Sequence, residues 1–308
     1  MSTPSRARIL LILAVGVVAV SSGSLLYRQA ELAAGGPTPG FGLLAACGRM
    51  VIAGALLVPT SARAAAELRA ARPLFLMALG SGVLVALHFA AWISSLQYTT
   101  VAASTALVNT NPVWVALLAW ALLGERPRPR LVVGGLVAIA GSCVVALADA
   151  GATPRAGQSP LVGDALALVG AVAISGSYLL GRAVQQRGLS LRAYLGVIYP
   201  IAGLCLLPGP WLAGADYLGH PATVYLCFAL MALVPQLVGH TSFNWAVKHV
   251  DPTLVAVVLL LEPVGSAVGA AALFGEVPSA QAIVGVALLL VGVLVAVRNP
   301  APGPREGS

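Results

Sequence analysis

The sequence predicts an all-α membrane protein of ten transmembrane helices, arranged as two inverted five-helix repeats. Three observations carry this. The 308 residues are 59% hydrophobic and only 9% charged, with a mean hydropathy of +0.93. A soluble globular chain carries roughly 25% charged residues. The apolar stretches recur at lengths near the ~20 residues a helix needs to cross a bilayer. Short motifs of the first half return in the second, in the same order, 149 to 153 residues later. So little charge cannot cover a water-facing surface of this size, which excludes a soluble enzyme, a disordered chain and a coiled coil.

The apolar runs, bounded by Pro, Gly and charged breaks, place helices at 9–27, 42–59, 74–96, 101–123, 130–148, 163–183, 192–208, 222–246, 253–274 and 280–297. The first follows Arg6 and Arg8 and exceeds the usual apolar core of a signal peptide, so it reads as an uncleaved first helix. The seventh is short, and the eighth carries His240. The cations sit between these runs, so the net charge of +7 reads as a topology signal and not as a nucleic-acid surface. With the N-terminus inside, the outer loops hold only Arg28 and Arg155, and Arg49 lies within a span. The expected location is the cytoplasmic membrane, multi-pass, with both termini in the cytoplasm. The four cysteines all lie in apolar stretches without CxxC spacing, so they are expected to be packed.

The repeat rests on four matches. Pro112 and Gly124-Glu125-Arg126-Pro127 return as Pro263 and Gly275-Glu276-Val277-Pro278; Gly134 and Gly141 return as Gly285 and Gly292. Ile52-Ala53-Gly54 returns as Ile201-Ala202-Gly203, and Ser22-Gly23-Ser24 as Ser175-Gly176-Ser177. Five is odd, so the second copy enters the membrane from the opposite side, an arrangement common in secondary transporters, whose site lies near the midplane. The expected units are 1–148 and 163–298, joined by a loop at 149–162 and followed by a tail at 299–308.

This doubled unit resembles the EamA-type carriers of the drug/metabolite transporter superfamily. The resemblance rests on Asn111-Pro112…Gly124-Glu125 and Glu262-Pro263…Gly275-Glu276, on Arg49 in the second helix, and on the run His88…Trp92…Tyr98. It covers about residues 8–298. It implies a ten-helix fold, alternating access, and export of amino acids or similar metabolites. One departure stands out: Ile198 occupies the place where the repeat would put a second Arg.

Candidate site residues follow from polarity in apolar runs. Glu262 lies near the middle of the ninth helix, where a charge costs roughly 2.5–3.5 kcal/mol on insertion scales. It is expected to be either a protonatable or ligand-binding group, or a packing contact to a neighbouring helix. Asn109 and Asn111 offer amides that donate and accept, to a polar solute or to another helix. Arg49 would pair with Glu262, hold a substrate carboxylate, or snorkel to the headgroups. His88 and Trp92, four apart, share one face of the third helix, and His240 and Asn244 share one on the eighth. Both pairs would line a cavity or simply pack; Trp245, beside Lys248, reads better as an interfacial anchor. Tyr178 beside Ser175 and Ser177 is the best tyrosine for a cavity, whereas Tyr98 and Tyr199 read as belt or packing residues. The paired glycines permit close helix contact, internally or in an oligomer. Glu125 and Glu276 read as features of helix ends.

No P-loop, His-Glu-x-x-His or Gly-x-Ser-x-Gly run occurs, and no potassium-filter motif. The expected function is therefore a secondary transporter, an exporter, of small organic metabolites, driven either by a proton gradient, with Glu262 as the coupling group, or by the solute's own gradient. It is not expected to be an enzyme. The expected partners are a small-molecule substrate and membrane lipid, with no cofactor, metal or nucleic acid, in a monomer or homodimer. An intramembrane enzyme acting on a lipid-linked substrate is the alternative; a passive channel is disfavoured by the repeat.

Overall fold

A computed structural model describes residues 4–36, 38, 40–57, 67, 72–95, 98–99, 101–148, 159–275 and 279–297. Among the described residues the chain forms ten helical segments and no strand. In chain order they are α1 (Arg6–Ala33), α2 (Phe41–Leu57), α3 (Arg72–Ser95), α4 (Val101–Val108 and Asn111–Leu123) and α5 (Pro129–Ala148). There follow α6 (Pro160–Gln186), α7 (Leu191–Leu206, extended by Pro208–Leu212), α8 (Ala222–Ala246), α9 (Pro252–Leu259 and Glu262–Phe274) and α10 (Ala280–Val297). Among the described residues six segments are long and apolar enough to cross a membrane: α1, α3, α6, α7, α8 and α9. The remaining apolar runs are shorter: Phe41–Leu57, Asn111–Leu123, Pro129–Val144 and Ala280–Ala296. The chain is a multi-pass membrane protein. Glu276, Arg63, Arg69, Arg155, Arg298 and Arg305 lie outside the described residues, as do most of the central loop and the C-terminal tail.

Three helices depart from the continuous rods expected from hydropathy. Both α4 and α9 break near mid-length, at Asn109–Thr110 and at Leu260–Leu261, and restart with Pro in the first turn. Proline has no N–H to donate and fits the first turn of a helix, so Pro112 and Pro263 start new half-helices instead of merely bending old ones. Each second half ends on a left-handed glycine, Gly124 (φ 70°) and Gly275 (φ 68°). That conformation strains any residue with a β-carbon, and it explains the Gly of each Gly-Glu motif. The third departure is in α8, which widens into a π-helix over Ala232–His240 around Pro235.

Packing pairs the two halves closely. The helices α5 and α10 lie backbone to backbone. A β-carbon built at Gly134 would stand 2.7 Å from both the Ala296 nitrogen and the Gly292 oxygen. At Gly141 it would meet the Leu289 nitrogen, and at Gly292 the Ala138 nitrogen. The paired glycines thus serve internal packing. The far sides of both helices expose Val133, Leu136, Ile283 and Leu294, as lipid contact requires. Elsewhere α3 packs on α6, α1 on α8, α2 on α7, α6 on the second half of α4, and α1 on the second half of α9. One end of the bundle gathers the Arg182–Glu125 ion pair, the contact of Arg8 with the Trp245 ring (6.0 Å) and the bond from Arg187 to the Met77 sulfur (3.3 Å). The other gathers the Thr99–Asp164 bond (2.9 Å) and the Phe41–His220 ring contact. Cys47, Cys143, Cys205 and Cys227 are free thiols.

Candidate functional site

At the centre of the bundle α3, α6, α7 and α8 enclose a cavity of about 10 Å³. Such a space admits about one water molecule. Helical spacing supplies its walls: Val85 and Phe89 from α3, Ile174, Ser177 and Tyr178 from α6, Ile198 and Tyr199 from α7. From α8 come Gln236, His240 and Asn244, four apart. Pro235 and the widened turn around it lie within the segment that supplies Gln236 and His240.

Arg49 reaches this region from α2, and only 8% of it is exposed. Small residues let α2 come close: a β-carbon at Gly48 would meet Phe228, and one at Gly54 would meet the Pro200 backbone. The Arg49 guanidinium donates from Nε (3.1 Å) and Nη2 (2.5 Å) to Oε1 of Gln236, and lies 4.5 Å from the centre of the Phe89 ring. Its positive charge is thus held by an amide dipole and an aromatic face, the second a cation–π contact that strengthens away from water. Among the described residues it forms no ion pair with Glu262, although the two interact electrostatically. Of the roles expected for Arg49, snorkelling to the headgroups is ruled out by burial, and pairing with Glu262 is replaced by the Gln236 contact.

The aromatic side of the site is a chain of rings. Phe89 meets His88 edge-on at 4.9 Å and His240 edge-on at 6.4 Å; His88 stacks on Trp92 at 5.8 Å. His88 Nδ1 is 2.9 Å from the Gly170 carbonyl, which fixes the ring against α6. On α8, Asn244 donates to the His240 carbonyl (2.9 Å), and its own carbonyl accepts from Gln185 (2.7 Å). Tyr199 donates to the Gln236 carbonyl at 3.3 Å. Among the described residues no three His, Cys, Asp or Glu side chains are placed to hold a metal ion.

Glu262 is the first residue of the second half of α9, and Asn111 holds the same place in α4. A negative side chain in the first turn is favoured by the helix dipole. A serine of the other half clasps each break. Ser21 on α1 donates to the Val17 carbonyl (2.8 Å) and the Glu262 carbonyl (3.1 Å). Ser175 on α6 donates to the Ala171 carbonyl (2.7 Å) and the Asn111 carbonyl (3.1 Å). The two arrangements match contact for contact. They equate Ser21 with Ser175, one residue off the Ser-Gly-Ser register read from the sequence.

Among the described residues five buried side-chain donors have no partner: Trp92 Nε1, Asn109 Nδ2, the Ser142 and Tyr178 hydroxyls, and Arg182 Nε. An unmet buried polar group costs about 1–3 kcal/mol, so each is an open valence. Tyr178 lines the cavity. Of the expected residues, the structure brings Tyr178, His240 and Asn244 into the cavity wall, with Arg49 and His88 directly behind it. Trp92, Asn109, Asn111 and Glu262 are not among the lining residues. Sequence reading missed Gln236, a lone amide in an apolar run whose polarity was itself a signal. It also placed Tyr199 as a belt or packing residue, yet Tyr199 stands beside Ile198 in the cavity wall.

Comparison with known proteins agrees with this architecture. The model of the EamA-like transporter family matches twice, over residues 7–147 and 161–298. A probable terminal-alkyne amino-acid exporter of Streptantibioticus cattleyicolor is 31% identical over 210 residues, which is 66% of each chain. A pseudopaline exporter of Pseudomonas aeruginosa is 28% identical over 227 residues, 72% of this chain and 75% of that one. A solved crystal structure with 24% identity superposes with a TM-score of 0.76, covering 95% of this chain and 97% of its own, and so shares the fold. With one family model matched in each half of the chain, and a helical fold broken at corresponding points, this protein belongs to the EamA-like transporter family.

Proposed function

We propose that the protein exports small amino-acid-like metabolites across the cytoplasmic membrane by alternating access, coupled to protons through Glu262. The two halves, 1–148 and 163–298, act as inverted repeats that rock about the central cavity, with both termini in the cytoplasm. The observation that carries this reading is the buried polar set behind and around the cavity: Arg49 on Gln236, the His88–Phe89–His240 rings, and the unpartnered Tyr178 hydroxyl. A cavity of ~10 Å³ is too small for a metabolite, so it fits a closed state that must open to bind. The matched Ser21 and Ser175 clasps and the doubled family match support the repeat. The exporter names of two relatives support the direction and the substrate class.

In this mechanism Arg49 holds the carboxylate of the solute, leaving Gln236 for it as the site opens. Glu262 takes up a proton from one side and yields it to the other. The aromatic rings flank the organic part of the solute. The half-helix starts at Asn111 and Glu262 are the flexible joints of each repeat.

The test is uptake of labelled amino acids into proteoliposomes under an imposed pH gradient, comparing wild type with Glu262→Gln. Saturable uptake that follows the gradient in wild type and loses it in the variant is expected. Saturable uptake indifferent to both would overturn proton coupling and leave a facilitator. Turnover of a lipid-linked substrate without solute movement would replace transport with intramembrane catalysis.

A further inference from the structure

A second, larger pocket of about 460 Å³ opens on the side of the bundle, away from the central cavity. One wall is the second half of α4, including Pro112, Leu117 and Trp120; the other is α5, including Leu131 and Leu136; Thr253 of α9 also lines it. It is kept open by the lack of a side chain at Gly135, where a β-carbon would meet Val257 at 3.4 Å. Trp120 and Leu136 are each 54% exposed, so the groove faces the surroundings of the bundle. From Pro112 to Leu123 the helix rises about 17 Å at 1.5 Å per residue. That is close to half of the ~30 Å hydrocarbon core. The groove therefore runs the depth of one leaflet.

At one end the groove meets a short cationic stretch that runs from the loop into the first turn of α5. Arg126 and Pro127 line the opening, and the chain continues as Arg128-Pro129-Arg130. Residues before proline are held away from helix, so the loop is extended and keeps its three cations within a few residues of the opening. The side chains of Arg126, Arg128 and Arg130 make no hydrogen bond or ion pair to another described residue. Glu125, adjacent in sequence, is taken by Arg182. An apolar slot one leaflet deep, ending at guanidinium groups without an ion-pair partner among the described residues, matches a phospholipid with an anionic head in shape and complements it in charge. Arg binds phosphate through a rigid fork of donors.

We propose that this groove binds one anionic phospholipid, an acyl chain lying between α4 and α5 and its phosphate on Arg126 and its neighbours. The lipid packs against the half of α4 that begins at Asn111, and so against one joint of the transport cycle. The site does not depend on which solute is carried.

The test uses Trp120 as its reporter. The full-length protein is reconstituted in phosphatidylcholine vesicles containing brominated phosphatidylglycerol or, separately, brominated phosphatidylcholine. The Trp120 signal is taken as the difference between wild type and Trp120→Phe. Quenching by the anionic lipid is expected at a lower mole fraction than by the zwitterionic one, by about fivefold for each arginine engaged. Arg126→Gln should reduce that preference, and high salt should abolish it in the unaltered protein. Equal quenching by the two lipids, or a preference that survives both the substitution and high salt, would overturn the site. The salt titration keeps the test valid if the variant fails to insert.

Discussion

The α5–α10 seam and the central cavity are built on opposite terms. In the seam glycine brings backbone against backbone, and a β-carbon at Gly134, Gly141 or Gly292 would collide with main-chain atoms. Around the cavity polar groups are buried at a cost, the Tyr178 hydroxyl without a partner, and α8 is widened where it supplies Gln236 and His240. The difference teaches where each property of the protein resides. Close packing is a main source of cohesion in a bilayer, where lipid removes the hydrophobic incentive for helices to associate. The cavity sacrifices cohesion for groups that can change partners. Substitutions in the seam should therefore lower the amount of folded protein, and those in the cavity should lower transport at nearly constant stability.

The largest effect is expected at the seam. Gly141→Leu forces a side chain into the Gly285–Leu289 backbone, which cannot rotate away as a side chain could. Overpacking costs typically 1–3 kcal/mol, and a backbone neighbour puts this case at about 3 kcal/mol or more. Thermal unfolding in detergent should move down by many degrees, with little monodisperse protein recovered. Normal recovery and an unchanged midpoint would break the comparison at its firmer side.

Arg49→Met comes next and sharpens the contrast. It removes a buried charge while keeping most of the side-chain volume. Replacing buried ionic groups by apolar ones is often neutral or stabilising. The variant should lose transport by at least about tenfold, the scale of one strong charge-assisted contact. Its unfolding midpoint should stay close to that of the wild type. A large drop in stability with transport intact would make Arg49 a packing residue.

The two serine clasps give a smaller, paired effect. Interhelical hydrogen bonds in membranes average about 0.6 kcal/mol. Ser21→Ala and Ser175→Ala should each lower stability by about that much, shown by chemical denaturation, and each should slow transport severalfold by loosening its break. Equal effects in the two variants would support the matched architecture. A strongly unequal pair would mean that Glu262 and Asn111 sit on unlike joints.

Much of this arrangement was legible before the fold was seen. Hydropathy located the ten helices, nine of them within a few residues and the first one six residues short of its end at Ala33, because burial in lipid depends on summed apolarity and little else. The glycine faces were legible too, since glycines seven apart share a helix face, but that the α5 and α10 faces meet each other was not. The breaks were not. Pro112 and Pro263 announce a lost hydrogen bond, but whether the helix bends or restarts depends on what receives the chain, here Ser175 and Ser21 from the opposite half. The π-turn of α8 was equally hidden, as hydropathy does not register backbone widening. Gln236 escaped notice because its partner, Arg49, is 187 residues away.

Tyr178→Phe should have the smallest effect on stability and is the most discriminating for the cavity. The hydroxyl is buried and meets no partner, so its removal deletes an unpaid desolvation and no hydrogen bond. The unfolding midpoint should hold or rise slightly. If the hydroxyl is reserved for the solute, the KM should rise severalfold while the maximal rate changes little, because one uniform binding contact is lost. A fall in the midpoint would show that the hydroxyl is already engaged in the closed protein. An unchanged KM would move the solute away from α6 and toward the Arg49–Gln236 side of the site.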